Sequence, residues 1–323
     1  MLGTRSFVLS SLRRRECDEE NEETRRRLVA KSLLAWVSKT VAAKFSMAET
    51  LVSDPSLVGV TSPTIGPDGA LLVASSTSGD VQQVDAASGA VEPLFNTGGA
   101  PSSLAFDGDG TLIVCDAAHA TVFEYGKDQQ LRDLVKEYEA KPFKGPSALA
   151  LDSASNIFFC DSGPLGETTL QRPKGSVFMI SAEGQLLQPL VLESLAHPCA
   201  LALAPDEGAL YVAEMMQNRL LRLVQKPAGA WHCSVFFQFS GRVGPSGIAV
   251  DQNGNLFVSR YDVATSAGPT AGVVSVISPE GKLLSELAVP APEVTGVAIS
   301  GGTMFVTEAS TGSVYKLPVP TGY

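Results

Sequence analysis

From residue 60 onward, short apolar runs alternate with clusters of Gly, Asp, Asn and Pro. The runs follow one recurring phrase. It reads PSSLAFDGDGTLIVCDAAHATVFEY from Pro101, and related phrases start at Pro146, Pro198 and Pro245. Weaker copies start at Val60 and Val294, so six copies are spaced 41 to 52 residues apart. Within each copy a first strand alternates small and large residues, as in Ser246-Gly247-Ile248-Ala249-Val250. A turn rich in Asp, Asn and Gly follows, such as Asp107-Gly108-Asp109-Gly110, which suits a closed hairpin. The second strand is nearly all apolar, as in Asn255-Leu256-Phe257-Val258, and reads as buried on both faces. A third strand alternates, and a fourth, such as Leu283 to Val289, is more polar. A repeat of this length with four strands of outward-growing polarity predicts a β-propeller. The expected fold is all-β: six four-stranded antiparallel blades, preceded by a helical N-terminal extension.

The sixth copy is cut short. After Leu317 only six residues remain, two of them Pro318 and Pro320. Residues 49–57 precede the first copy and are expected to supply the missing outer strand, leaving no open sheet edge. The propeller is therefore expected over residues 47–323.

Residues 1–46 differ in kind. They carry ten Lys/Arg and six Asp/Glu, a net +4, whereas the remainder carries −14. Leu28, Leu33, Leu34, Val37, Val41 and Phe45 form an apolar stripe at helical spacing, predicting a helix over about 22–43. Three readings stay open for this segment: a helix that docks on a partner, a targeting segment, or an upstream extension ahead of Met47-Ala48-Glu49. The basic start MLGTRSFVLSSLRRR is similar to a mitochondrial presequence, but the acids from Glu16 to Glu23 interrupt it.

The acidic ring is a poor match for nucleic acid, since phosphate contacts need cations. No apolar run is long enough to span a membrane as a helix. The cysteines Cys17, Cys115, Cys160, Cys199 and Cys233 are odd in number and form no CxxC, which favours a reducing, intracellular compartment. The cytoplasm is favoured, with the mitochondrion left open by the basic start.

The pattern P-x-G-[ILV]-A-[VL]-D-x-x-G-N-[LI]-[FY]-V is clearest at Pro245 to Val258 and from Pro198 to Arg219. It resembles the NHL-repeat propellers and the SMP-30/gluconolactonase family with its strictosidine-synthase-like relatives. The run Asp161-Ser162-Gly163-Pro164-Leu165-Gly166 and the long loop to Gly175 resemble the same superfamily. The resemblance implies one divalent cation at the channel mouth. Its ligands would be a Glu, two Asn and an Asp near the starts of the innermost strands of blades one, three, four and five.

The equivalent column here reads Thr61, Ser102, Ser147, Cys199, Ser246 and Thr295, with no carboxylate and no amide. A hard cation needs charged oxygen donors, so no metal and no other cofactor is expected. These six residues are instead expected to line a mouth that can take a small ligand. After the second strand a further column reads Ser75, Asp116, Asp161, Glu214, Arg260 and Glu308. Its acids suit backbone N–H groups in the following turn, yet Glu214 and Glu308 are also candidate catalytic acids, Glu308 matching the position of a glutamate in the strictosidine-synthase-like enzymes. His197 lies two residues before Cys199 and could pair with it as base and nucleophile. The expected function is a non-catalytic binding or scaffold propeller, contacting protein partners through residues 1–46 and its loops. The alternative is a hydrolase of a lactone or ester.

Overall fold

A computed structural model of the chain describes residues 48–182, 186–227, 229–266 and 270–322. Contacts divide the chain into residues 1–47 and 48–323. The expected helix over 22–43 and the basic start therefore lie outside the described residues.

Residues 48–322 form six four-stranded antiparallel sheets. The innermost strands are Val60–Ile65, Pro101–Phe106, Pro146–Leu151, Pro198–Leu203, Gly244–Val250 and Val294–Ser300. The second strands are buried at nearly every position, as in Leu71–Ser75, Leu112–Asp116, Ile157–Asp161 and Leu210–Glu214. They supply the apolar layers between blades, where Phe159, Leu210, Phe257 and Met304 are fully enclosed. The outer strands are largely exposed, as in Val91–Asn96. The gradient of polarity in each repeat is thus the gradient from the channel wall to solvent.

The hairpin turns follow from their aspartates. Asp107 Oδ1 accepts from Asp109 N at 2.9 Å and Thr111 N at 2.8 Å. Asp251 does the same for Asn253 N and Asn255 N, and Asp152 for Ala154 N and Asn156 N. The Asp-x-Asp-Gly sequence at 107–110 is a turn closed on itself, with Gly110 at φ 79°.

The sixth sheet has the order Glu49–Ser53, Ser313–Pro318, Thr303–Glu308, Val294–Ser300, so its outer strand comes from the start of the described chain. Glu49 pairs with Lys316 and Ser53 with Ser313. The strand is shorter than the stretch 49–57 expected from the sequence. Asp54 accepts from Ser56 N at 2.8 Å, and Pro55 starts a single 3-10 turn that drives Leu57 into the core. Among the described residues the only helical turns are this one and Met215–Gln217.

Five of the six innermost strands carry a β-bulge near their start. Their register skips one residue between Pro101 and Ser103, Pro146 and Ala148, Pro198 and Ala200, Pro245 and Gly247, and Val294 and Gly296. The skipped residues are Ser102, Ser147, Cys199, Ser246 and Thr295. A bulge frees one residue from the ladder and re-aims it. Here it frees the mouth column.

Candidate functional site

The freed residues join blade to blade. Ser102 Oγ donates to Pro146 O at 2.7 Å, and Ser147 Oγ to Pro198 O at 2.8 Å. Cys199 Sγ reaches Pro245 O at 3.3 Å, and Ser246 Oγ donates to Val294 O at 2.6 Å. Thr295 Oγ1 donates to Val60 O at 2.6 Å and closes the circle. The same atoms also lie 3.2 to 3.9 Å from second-strand carbonyls of their own blade. A hydroxyl has one hydrogen to give. In this column it goes to backbone.

Thr61 departs from the rule. In the first blade Thr61 still pairs with Ala74, and the irregularity falls between Thr61 and Thr64. Ser62 takes φ 50°, and its Oγ accepts from Leu104 N at 2.8 Å. Thr64 Oγ1 donates to Leu104 O at 2.9 Å. Ser62 and Thr64 therefore make the first seam. Thr61 Oγ1 has no hydrogen-bond partner among the described residues.

None of the acids in the second column lines the mouth cavity or the lumen. Asp161 Oδ1 accepts from Lys144 N at 2.9 Å and Gly145 N at 2.8 Å, just ahead of the innermost strand of its blade. Burial raises the Asp161 carboxyl, and these bonds oppose the rise. Asp116 Oδ1 accepts from Ala100 N and His119 N, while its Oδ2 is buried without a partner. Glu214 accepts from Ala196 N at 2.7 Å and from Arg219 Nε at 2.6 Å. Glu308 accepts from Glu293 N, Ser310 N and Thr311 N, and from the hydroxyls of Ser310 and Thr311. Ser75 Oγ binds Val58 O, and the Arg260 guanidinium binds Ser240 O and Gly241 O. Each residue thus ties the end of its second strand to the loop that leads into its blade's innermost strand.

His197 and Cys199 both line the mouth, but they do not form a dyad. The Cys199 thiol is turned to Pro245 O, and burial pushes its pKa up to about 12. A protonated thiol is a poor nucleophile. His197 precedes the strand with φ 59°, its N–H held by Thr168 Oγ1 at 3.1 Å. Burial lowers the imidazole pKa to about 4, so the ring is neutral. Its Nδ1 is buried with no partner.

The mouth holds a cavity of about 310 Å³. The column residues form its floor. Its walls include Ala117, Pro164, Leu165, His197, Met215, Tyr261 and Ala309, and no charged side chain lines it. Deeper along the same strands the lumen holds about 170 Å³. Pro164, Leu165, Met215 and Tyr261 come from loops and strand ends outside the mouth column. The loop Asp161 to Gly175 is the part of the repeat that carries a signal for Pro164 and Leu165, since it is longer than its counterparts.

The divalent cation implied by the resemblance does not fit these residues. In blades three, four and five its ligand positions hold Ser147, Cys199 and Ser246, neutral groups whose hydrogens point to carbonyls. In blade one the position holds Thr61. Among the described residues no cluster of three or more His, Cys, Asp or Glu could hold a metal ion. No helix among them is long and apolar enough to cross a membrane.

Known proteins share both the fold and the sequence pattern. A gluconolactonase from Xanthomonas campestris superposes with TM-score 0.71 at 23% identity, over 84% of this chain and 89% of that one. A calcium-binding regucalcin from Agrobacterium tumefaciens superposes with TM-score 0.68 at 19% identity, over 83% and 92%. At such identities the likeness speaks to the fold. The lactonase drp35 of Staphylococcus saprophyticus is 22% identical over 241 residues, 58% of this chain and 69% of that protein. The drp35 of Staphylococcus haemolyticus is 29% identical over 117 residues, 35% of this chain and 34% of that protein. Residues 61–310 match the SMP-30/gluconolactonase/LRE-like region, which spans all six blades. The chain belongs to the SMP-30/gluconolactonase/LRE-like family.

Proposed function

We propose that the protein is a hydrolase of a small lactone or ester, acting at the channel mouth with His197 as general base. The observation that carries this reading is the His197 ring: neutral, largely buried, and part of the wall of a ligand-sized cavity. The lactonases among its relatives support the reaction class. In the step, a water oxygen bonds to the substrate carbonyl carbon while His197 takes the water proton. The acyl C–O bond then breaks, and the leaving alkoxide takes that proton back from the imidazolium. The product is a hydroxy acid from a lactone, or an acid and an alcohol from an ester. A low pKa makes His197 a modest base but keeps it unprotonated at neutral pH.

Binding without turnover is the second reading, favoured by one observation. Five of the six mouth-column side chains are engaged between blades. In that reading the propeller holds a ligand or a protein partner, with residues 1–46 as the proposed partner contact. Hydrolysis of a lactone and ester panel separates the two. The hydrolase reading expects turnover that persists in chelator and falls at least a hundredfold in His197→Ala. No turnover across the panel, with or without added calcium or zinc, leaves the binding reading.

A further inference from the structure

We propose that the mouth selects an apolar lactone or ester, with one carbonyl received by Thr61, over a polyhydroxylated sugar lactone. The ester group rests on the hydrolase reading; the selection for apolar character does not.

The selection follows from where the hydrogens already go. Ser102, Ser147, Ser246 and Thr295 give theirs to backbone carbonyls, and so does the Cys199 thiol. On the rim Ser76 Oγ donates to Gly59 O at 3.1 Å. Burial raises the pKa of the Tyr261 phenol, and the nearby Glu293 carboxylate adds to the rise. Among the mouth-column hydroxyls, that of Thr61 alone keeps an uncommitted hydrogen. One donor suits one carbonyl. A ring carrying several hydroxyls would lose water without regaining partners, a loss for each group left unpaired.

The walls point the same way. Leu165 is 55% exposed at the mouth, an unusual position for a large apolar side chain on a loop. The loop is shaped, not slack. Gly163 and Gly166 take φ 68° and 99°, and Thr168 Oγ1 donates to Ser162 O at 2.9 Å. This holds Pro164 and Leu165 at the cavity wall, which also carries Met215. An alkyl or aryl group in the cavity would cover Leu165 and gain in proportion to the apolar surface buried.

The test uses non-hydrolysable ligands on the full chain: an alkyl-substituted δ-lactam and a polyhydroxylated δ-lactam, titrated by calorimetry. The alkyl lactam is expected to bind at least tenfold more tightly. Leu165→Asp should weaken it tenfold or more, and Thr61→Val about fivefold, with the melting temperature of each variant checked against the parent. Equal or tighter binding of the polyhydroxylated lactam overturns the proposal. So does failure of both to bind, or alkyl binding indifferent to Leu165→Asp in a folded variant. Failure of the hydrolase reading looks different: alkyl-lactam binding is intact, but the matching lactone is not turned over.

Discussion

Thr295 Oγ1 donates a 2.6 Å hydrogen bond to the carbonyl of Val60, a residue 235 positions earlier in the chain. This bond joins the last blade to the first. It is made by the same kind of side chain, from the same place in the bulge, as the bonds from Ser102, Ser147, Cys199 and Ser246. Thr295→Val keeps the shape and removes the donor, leaving a part-buried carbonyl unsatisfied. The expected loss is about 1–3 kcal/mol in urea unfolding. Ser246→Ala should cost a similar amount. A loss below the error of the fit in both would refute the stitching role.

The closing strand gives a second prediction. Removing residues 48–53 uncovers the edge of Ser313–Pro318. The melting temperature of the whole propeller should fall in one cooperative step. Leu57 is fully buried in the layer between the sixth and first blades, with Val60, Leu71 and Phe305. Leu57→Ala is expected to cost about 2–5 kcal/mol. A deletion that leaves the melting temperature unchanged would show that the ring closes without this strand.

Glu308 should behave as a structural acid. Its two carboxylate oxygens accept from three backbone N–H groups and two hydroxyls. Glu308→Gln keeps the size but replaces one acceptor oxygen by a donor. Stability should drop by about 2–3 kcal/mol, since bonds to a charged, buried group are lost. Affinity for a mouth ligand, measured on the folded fraction, should stay within twofold. A large loss of affinity with unchanged stability would move Glu308 into the site.

His197 links the site to pH. Its pKa falls from 6.5 in an ordinary setting to about 4 in the fold. Between those values the unfolded chain binds a proton that the folded chain refuses. Stability is therefore undiminished by this group above pH 6.5 and is lost as pH falls toward 4, by about 3 kcal/mol in all. His197→Gln should remove this share of the acid slope. Activity, if His197 is the base, should stay flat from neutral pH down to about 5 and then fall. An activity midpoint near 6.5 would mean that the ring is solvated and the base ordinary.

Much of this was legible from the repeat. The six blades, the Asp-anchored turns and the truncated sixth copy follow from local patterns that need no distant partner. The mouth column was legible as hydroxyls and a thiol, but its seam role was not. Four acceptors lie one repeat on, 44 residues for Ser102 and 51 for Ser147, and the fifth lies 235 residues back; each becomes a neighbour once blades pack. The first blade misled for a visible reason. Its proline is Pro63, three places later than in the four copies from Pro101 to Pro245, and the bulge moves with it, releasing Thr61. The pairing suggested for His197 and Cys199 failed on backbone geometry. Alternation places residues two apart on one face only inside a regular strand, whereas His197 sits in a left-handed conformation before the strand and Cys199 in the bulge.

The closure by Glu49–Ser53 also sets a timetable for synthesis. This strand leaves the ribosome ahead of every other strand of the ring, yet its partner Ser313–Pro318 follows 260 residues later, counted from Ser53 to Ser313. Until those partners emerge, the nascent chain carries two unsatisfied edges: that strand, and the first blade's inner face awaiting Thr295. Five finished blades cannot protect either one. Nascent propellers on neighbouring ribosomes could exchange strands during this interval, and any message truncated within the last blade would yield a ring that never shuts.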